Sequence, residues 1–121
     1  MLRVLIIDDS PTEVYKLTTI LEKNGYTVEV ADTGEKGLQM AKMNPPDLIL
    51  MDVVMPGLNG FQATRQLNRA PETAEVPVVI VSTKDQTTDK IWGMRQGASA
   101  YLVKPIVEAD LLAAIAEATS S

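Results

Sequence analysis

The chain contains no cysteine and no histidine. It therefore has no disulfide framework, no zinc site built on thiolates or imidazoles, and no thiol nucleophile. A Ser-His-Asp triad, a histidine general base and a histidine-held haem are excluded as well. Any metal must be held mainly by oxygen, which favours magnesium, calcium or manganese. Positive charge is also scarce, with 11 Lys and Arg against 16 Asp and Glu for a net charge of −5. That balance argues against a protein that grips nucleic-acid phosphates. Long hydrophobic runs are missing. The N-terminal one, Val4-Leu5-Ile6-Ile7, is followed at once by two acids and is too short for a signal peptide or a membrane span. The expected location is the cytoplasm, and the absence of cysteine fits a reducing compartment. There is no internal repeat, linker or low-complexity tract. With 121 residues, 45% of them hydrophobic, the chain is expected to form one domain over residues 1–121, large enough to bury its own core.

Five short apolar runs are present: Leu2–Ile7, Tyr26–Val30, Asp47–Met51, Val76–Ser82 and Ala100–Val103. The first, third and fourth show little polar alternation, as expected of parallel strands covered on both faces. The second alternates, with Thr27 and Glu29 between Tyr26, Val28 and Val30, which suits a strand near the sheet edge. Helical segments separate the runs. Ser10-Pro11-Thr12-Glu13 reads as an N-cap, a proline at the first helical position and a capping-box Glu. Val14, Leu17 and Leu21 continue that helix at helical spacing, and Asn24-Gly25 stops it. Thr33-Gly34 opens a second helix, with Leu38 and Ala41 inward and Asn44-Pro45-Pro46 at its end. Asn59 to Arg69 is a third, Thr87 to Gln96 a mostly polar fourth, and Glu108 to Thr119 a fifth. Strand and helix alternate five times, which predicts an α/β fold with a parallel sheet and helices on both faces. Nothing resembling an output domain comes after the fifth helix.

In open α/β sheets ligands bind at the carboxyl ends of the strands, where the winding direction reverses. Strand one ends in Asp8-Asp9, strand three in Asp52, strand four in Ser82-Thr83 and strand five in Lys104-Pro105. Converging carboxylates repel one another, and a hard divalent cation relieves that repulsion. A carboxylate beside such an ion can attack phosphorus and form an aspartyl phosphate. A lysine ammonium can then neutralise the added charge, and a hydroxyl can donate to a phosphoryl oxygen. Taken singly, each residue has an ordinary explanation: Asp9 as a helix cap, Ser82 as a turn hydroxyl, Lys104 as a solvated strand-end lysine, Pro105 as a turn proline. The combination at four strand ends is what indicates phosphoryl chemistry.

These residues resemble the receiver domain of two-component response regulators, the CheY-like family, along the whole chain. Leu5-Ile6-Ile7-Asp8-Asp9-Ser10 resembles the family's acidic pair. Asp47-Leu48-Ile49-Leu50-Met51-Asp52, with Met55-Pro56-Gly57 and Asn59-Gly60, resembles the phosphoacceptor strand and its loop. Pro77–Ser82 and Tyr101-Leu102-Val103-Lys104-Pro105 resemble the fourth and fifth strands with their terminal motifs. The resemblance implies a doubly wound, flavodoxin-like five-stranded parallel sheet in the order 2-1-3-4-5. It implies that Asp52 accepts phosphate from a histidine kinase. Asp8, Asp9, Asp52 and the Val54 backbone carbonyl would hold Mg²⁺, with Mn²⁺ able to substitute. Ser82 would be the switch hydroxyl, Lys104 the partner of the phosphoryl group, and Tyr101 the aromatic that changes rotamer, with Lys104-Pro105 cis. A monomer that binds neither nucleic acid nor membrane is implied, signalling through helix four, strand five and helix five or serving as a phosphate sink. Asp9-Ser10-Pro11-Thr12-Glu13, Met55 to Arg65 and Thr83-Lys84-Asp85-Gln86 further resemble single-domain regulators of type IV pilus twitching motility.

Val54 and Lys84 stand two residues after Asp52 and Ser82, where the family's residues flank the attacking water. An apolar Val54 cannot orient water by hydrogen bonding, and Lys84 can screen a phosphate, so slow autodephosphorylation is expected. Trp92, the chain's one tryptophan, is expected at the edge of the core or at a partner contact, with Ile91 and Met94 facing the sheet and Phe61 in the core. Glu108, Asp110 and Glu117 read as a solvated helix face. Two other functions compete. A phosphatase with an aspartate nucleophile usually wants a second acid where Val54 stands. A flavin- or nucleotide-binding domain would set Asp8-Asp9 against the ligand's phosphates.

Overall fold

The computed structural model describes residues 2–120. Strands and helices alternate from start to finish: β1 (Arg3–Ile7), α1 (Pro11–Lys23), β2 (Thr27–Ala31), α2 (Gly34–Met43), β3 (Leu48–Met51), α3 (Gly60–Arg69), β4 (Val78–Ser82), α4 (Thr87–Arg95), β5 (Ala100–Val103) and α5 (Glu108–Thr119). All strand pairs are parallel, in one sheet of order β2-β1-β3-β4-β5. This is the expected α/β doubly wound architecture. No helix among the described residues is long and apolar enough to cross a membrane.

The apolar runs that do not alternate form the three central strands, because each strand residue there meets a helix layer on one face or the other. Val4, Ile6, Leu48, Leu50, Val79 and Val81 pack with Leu17, Leu21, Leu111 and Ile115 of α1 and α5. Leu5, Ile7, Ile49, Met51 and Val78 pack on the other face with Leu38, Ala41, Ala63 and Leu67 of α2 and α3. At roughly 1.5–3 kcal/mol per fully buried aliphatic side chain, these two layers are the main source of stability. The edge position expected of β2 is correct, but its alternation is not kept to the end: Val30 is exposed and Ala31 is buried.

The helix caps match the sequence with one exception. Thr33 and Asn59 accept hydrogen bonds from Lys36 N and Gln62 N, and Gln62 accepts one in return from Asn59 N. The box expected at α1 is only half formed. Ser10 Oγ accepts from Glu13 N, but Ser10 N donates to Asp8 Oδ1, so Glu13 has no amide to return to.

Helix α4 overturns a second expectation. Ile91 and Met94 do not face the sheet; both are exposed, as is Trp92. The buried residue is Gly93, whose missing side chain lets the helix settle onto Ile80 and Tyr101. A Cβ there would stand 2.8 Å from Ile80 Cδ1 and 3.0 Å from Tyr101 Cδ2. The lone contact face turns Trp92 and Met94 about 100° to either side. Phe61 is partly buried, packed against a small cluster of Val53, Ile80 and Ala98. Glu108 is not simply solvated, since its carboxylate accepts a 2.7 Å hydrogen bond from Lys23.

Gly60 opens α3 directly under the chain that carries Asp52, and a Cβ there would overlap the Asp52 carbonyl, a backbone group with no room to move. Gly60→Ala is therefore expected to lower unfolding free energy by about 3 kcal/mol, against about 1 kcal/mol for Gly93→Ala, where flexible side-chain tips can yield. Urea denaturation of the two variants checks the order.

Candidate functional site

Hydrogen bonding runs past the strand ends and fixes the residues just beyond them. Asp8 N donates to Ala31 O, Asp52 N to Ile7 O, and Lys104 N to Ser82 O, at 3.1, 2.9 and 2.8 Å. The residues after β1, β3 and β5 are thus held by the same parallel ladder that holds the sheet. The order 2-1-3 makes β1 and β3 neighbours at the reversal of winding, so Asp8 and Asp52 meet there.

Asp8, Asp9 and Asp52 each present a carboxylate oxygen within 4.8 Å of the others. Asp8 and Asp52 are buried, at 2% and 7% exposure, while Asp9 is exposed. The Lys104 ammonium reaches into the pair, 3.1 Å from Asp8 Oδ2 and 3.5 Å from Asp52 Oδ1. The Lys104-Pro105 peptide is cis. Ser82 is fully buried at the end of β4, and its Oγ accepts from Lys84 N at 3.2 Å. Tyr101 lies on the β5 side with its hydroxyl donating to Lys84 O at 2.8 Å. Val54 is exposed at the mouth, where it lines a cavity of about 350 Å³ with Met55, Asn59, Phe61 and Lys84. All the strand-end residues singled out in the sequence therefore meet at one edge of the sheet. Tyr101 and Lys84 are tied to each other beside it.

The charges do not balance. Burial, together with the Asp8 charge, pushes the Asp52 carboxyl up to about 6, and Lys104 offsets this only in part. Burial alone would depress the Lys104 ammonium, but its hydrogen bond to Asp8 and the charges of Asp52 and Asp8 outweigh that, so it stands above the usual lysine value and remains charged. Glu13 adds a further negative charge felt by Lys104, and its Oε2 is buried without a hydrogen-bond partner. Excess buried carboxylate, all oxygen donors and one orphaned oxygen nearby make a site that fits a hard divalent cation.

Two residues carried no clear signal in the sequence. Glu13 looks like half of a capping box, and only the diversion of Ser10 N to Asp8 turns its carboxylate loose beside the acids. Glu35, at the start of α2, accepts from Leu58 N at 3.3 Å and so ties down the loop after Asp52. Its separation of 23 residues from Leu58 leaves no local pattern.

A carboxyl whose native pKa is raised loses stability as pH climbs from its ordinary value near 4 through about 6. At neutral pH without metal, ionised Asp52 thus lowers stability by something on the order of 2–3 kcal/mol. Asp52→Asn is expected to be more stable than the parent at pH 7.5 in chelator. The difference should shrink as pH falls from about 6 toward 4 and be nearly gone below that, as checked by paired urea titrations.

Comparison with known proteins agrees with this geometry. The model of the response regulator receiver domain matches residues 4–116. The chain is 60% identical over 115 residues to the protein PilH of Pseudomonas aeruginosa, covering 95% of each. It is 39% identical to the response regulator PleD of Caulobacter vibrioides, covering 97% of this chain but 26% of that one. Among solved structures, the chemotaxis protein CheY4 of Vibrio cholerae superposes with a TM-score of 0.91 at 30% identity, covering 98% of each chain. The receiver domain of a sensor histidine kinase from Pseudomonas aeruginosa, which has a magnesium ion coordinated in its active site cleft, superposes at 0.92 with 26% identity, covering 99% of this chain and 98% of that one. With a converging acidic cluster, a lysine at its centre and the 2-1-3-4-5 sheet that brings them together, this chain belongs to the response regulator receiver domains of two-component signalling.

Proposed function

We propose that Asp52 is the phosphoacceptor of a cytoplasmic, single-domain regulator that takes its phosphoryl group from the phosphohistidine of a partner kinase. The observation that carries this reading is the convergence of Asp8, Asp9 and Asp52 with one another, with the Lys104 ammonium against Asp8 and Asp52. With no histidine of its own, the chain cannot generate a phosphohistidine donor. An Asp52 carboxylate oxygen attacks phosphorus, the P–N bond breaks, and the departing imidazole nitrogen keeps the electron pair and takes a proton from solvent. Lys104, already within reach of Asp52, pairs with the new phosphoryl oxygens as a point charge. Asp8, Asp9, Asp52 and the Val54 carbonyl would hold Mg²⁺, or Mn²⁺ in its place. That ion, when bound, supplies the positive charge the carboxylates and incoming phosphoryl group lack. Loss of the phosphoryl group to water returns the carboxylate and inorganic phosphate and resets the signal, so the chain acts as a switch rather than as an enzyme on a separate substrate.

Phosphorylation adds about −1.5 to −2 charges at this strand end. Ser82, one strand over, would be the hydroxyl drawn toward the phosphoryl group. Its Oγ and the Tyr101 hydroxyl both bond the Lys84 backbone, so a shift of Ser82 alters what Tyr101 holds. Tyr101 packs against Gly93, and α4, β5 and α5 would then present a changed face to partners. The 60% identity to PilH favours a pathway governing type IV pilus twitching motility, with this chain as a monomeric activator or phosphate sink.

Incubation with acetyl phosphate and Mg²⁺ should yield a retarded band on a Phos-tag gel that Asp52→Asn abolishes. Rapid donor consumption without a stable phosphoform would instead indicate a phosphatase, and no reaction would remove the proposal. Val54 and Lys84 line one cavity, in the segments just after Asp52 and Ser82. Val54→Asn is expected to shorten the phosphoform's lifetime severalfold in a decay time course, because an amide can orient the attacking water where an isopropyl group cannot.

A further inference from the structure

The groove between α3 and α4 has a composition unlike the rest of the molecule. It is lined by Phe61 and Arg65 from α3, Trp92 from α4, Gln96 just after that helix, and Asn59 just before α3, and encloses about 240 Å³. Trp92 is 51% exposed, although it is the largest apolar side chain available to the core. The settling of Gly93 onto the sheet turns Trp92 toward α3. The two helices carry Arg65, Arg69, Lys90 and Arg95 against the single acid Asp89, in a chain with 11 cations and 16 acids. Asp89 is already engaged, accepting from Gln86 N at the start of α4. None of the four cations makes an ion pair among the described residues, whereas Arg3, Lys23, Lys36 and Lys104 all do. Asn59 and Phe61 also line the cavity at the mouth of the acidic site, so the groove runs on from the Val54 and Lys84 rim.

We infer that this groove docks an acidic segment of a partner protein that carries one aromatic or aliphatic anchor. A half-exposed tryptophan beside a partly buried phenylalanine supplies the apolar contact that dominates such interfaces. The unpaired Arg65 in the groove selects for a carboxylate, in a one- or two-pronged pair, and the exposed Arg69, Lys90 and Arg95 on the same two helices raise the encounter rate with an acidic chain. A second copy meeting this groove with its own is a poor occupant, because both grooves present the same positive sign, and two molecules of net charge −5 repel as wholes. Nucleic acid shares the preference for arginine, but the surrounding surface of this acidic molecule repels a long polyanion, whereas a short acidic segment need touch only the groove. Docking at this groove does not depend on which residue carries the phosphoryl group.

The test uses the full chain and a phage-displayed library of random linear peptides. Selected peptides should be enriched in Asp and Glu around a single apolar anchor. A selected peptide, synthesised, should quench or shift the Trp92 emission and move amide resonances of α3 and α4. Its affinity should fall by about tenfold in Arg65→Glu and by at least as much in Trp92→Ala. Arg65 is exposed and Trp92 half-exposed, so Arg65→Glu should keep the parent's unfolding midpoint, Trp92→Ala should lower it yet leave a cooperative transition, and both should keep the Phos-tag band if Asp52 is the acceptor. A selected pool with no acidic bias, no selected binder, binding indifferent to Arg65→Glu, or shifts confined to β5 and α5 would each overturn the inference. So would displacement of the peptide by a labelled single-stranded oligonucleotide of equal affinity.

Discussion

Three carboxylates and one ammonium share the C-terminal edge of the sheet, and the surrounding structure is organised around keeping them there. Left to themselves, these like charges would separate, and Asp52 shows the cost of holding them, with its carboxyl pushed up to about 6 by burial and the Asp8 charge. They are held together because the parallel ladder extends one residue beyond β1, β3 and β5, and the backbone bonds of Asp8, Asp52 and Lys104 cannot relax without breaking the sheet. The two aliphatic layers above and below the sheet supply the stability against which this electrostatic strain is set. Lys104 answers one negative charge and leaves the remainder for a cation or for chemistry.

The same edge explains how a local charge could be read elsewhere. Ser82 and Tyr101 are not in contact with the carboxylates through any hydrogen bond, but both are bonded to Lys84, one through its N–H and the other through its carbonyl. A single residue of loop backbone therefore connects the buried hydroxyl of β4 to the aromatic of β5. Tyr101 in turn lies against Gly93, the buried residue of α4. A helix seated on a glycine, with few buried side chains of its own, is the element least anchored by packing and so the one most free to move.

Most of the site was legible because strand ends are easy to locate. Long apolar runs that stop at Asp8, Asp52, Ser82 and Lys104 announce both the strands and the edge on which they finish. Sidedness along helices was harder. In α4 the spacing of Ile91 and Met94 suggested an inward stripe, yet a glycine between them took the contact and left both exposed. Apolar spacing measures which residues could share a face. It does not reveal where the helix axis can approach most closely. Glu13 failed for a related reason: its capping partner was taken by Asp8, a competition between two acceptors for one N–H that only the folded geometry resolves.

The order of residues along the chain was enough to establish the alternation of strand and helix and the chemistry available. Through its missing histidine and cysteine, it also required that any metal sit among oxygens. Those conclusions rest on composition and on periodicities of two and 3.6 residues, which are local. It took the folded molecule to place Lys104 between Asp8 and Asp52, to tie the loop after Asp52 to Glu35, and to stand Trp92 in a groove with the unpaired Arg65. Each of those joins residues on different elements, far apart along the chain or turned by a neighbour's contact. Only the packing of helices onto a twisted sheet brings such groups within the few ångströms over which charges, hydrogen bonds and apolar contacts act.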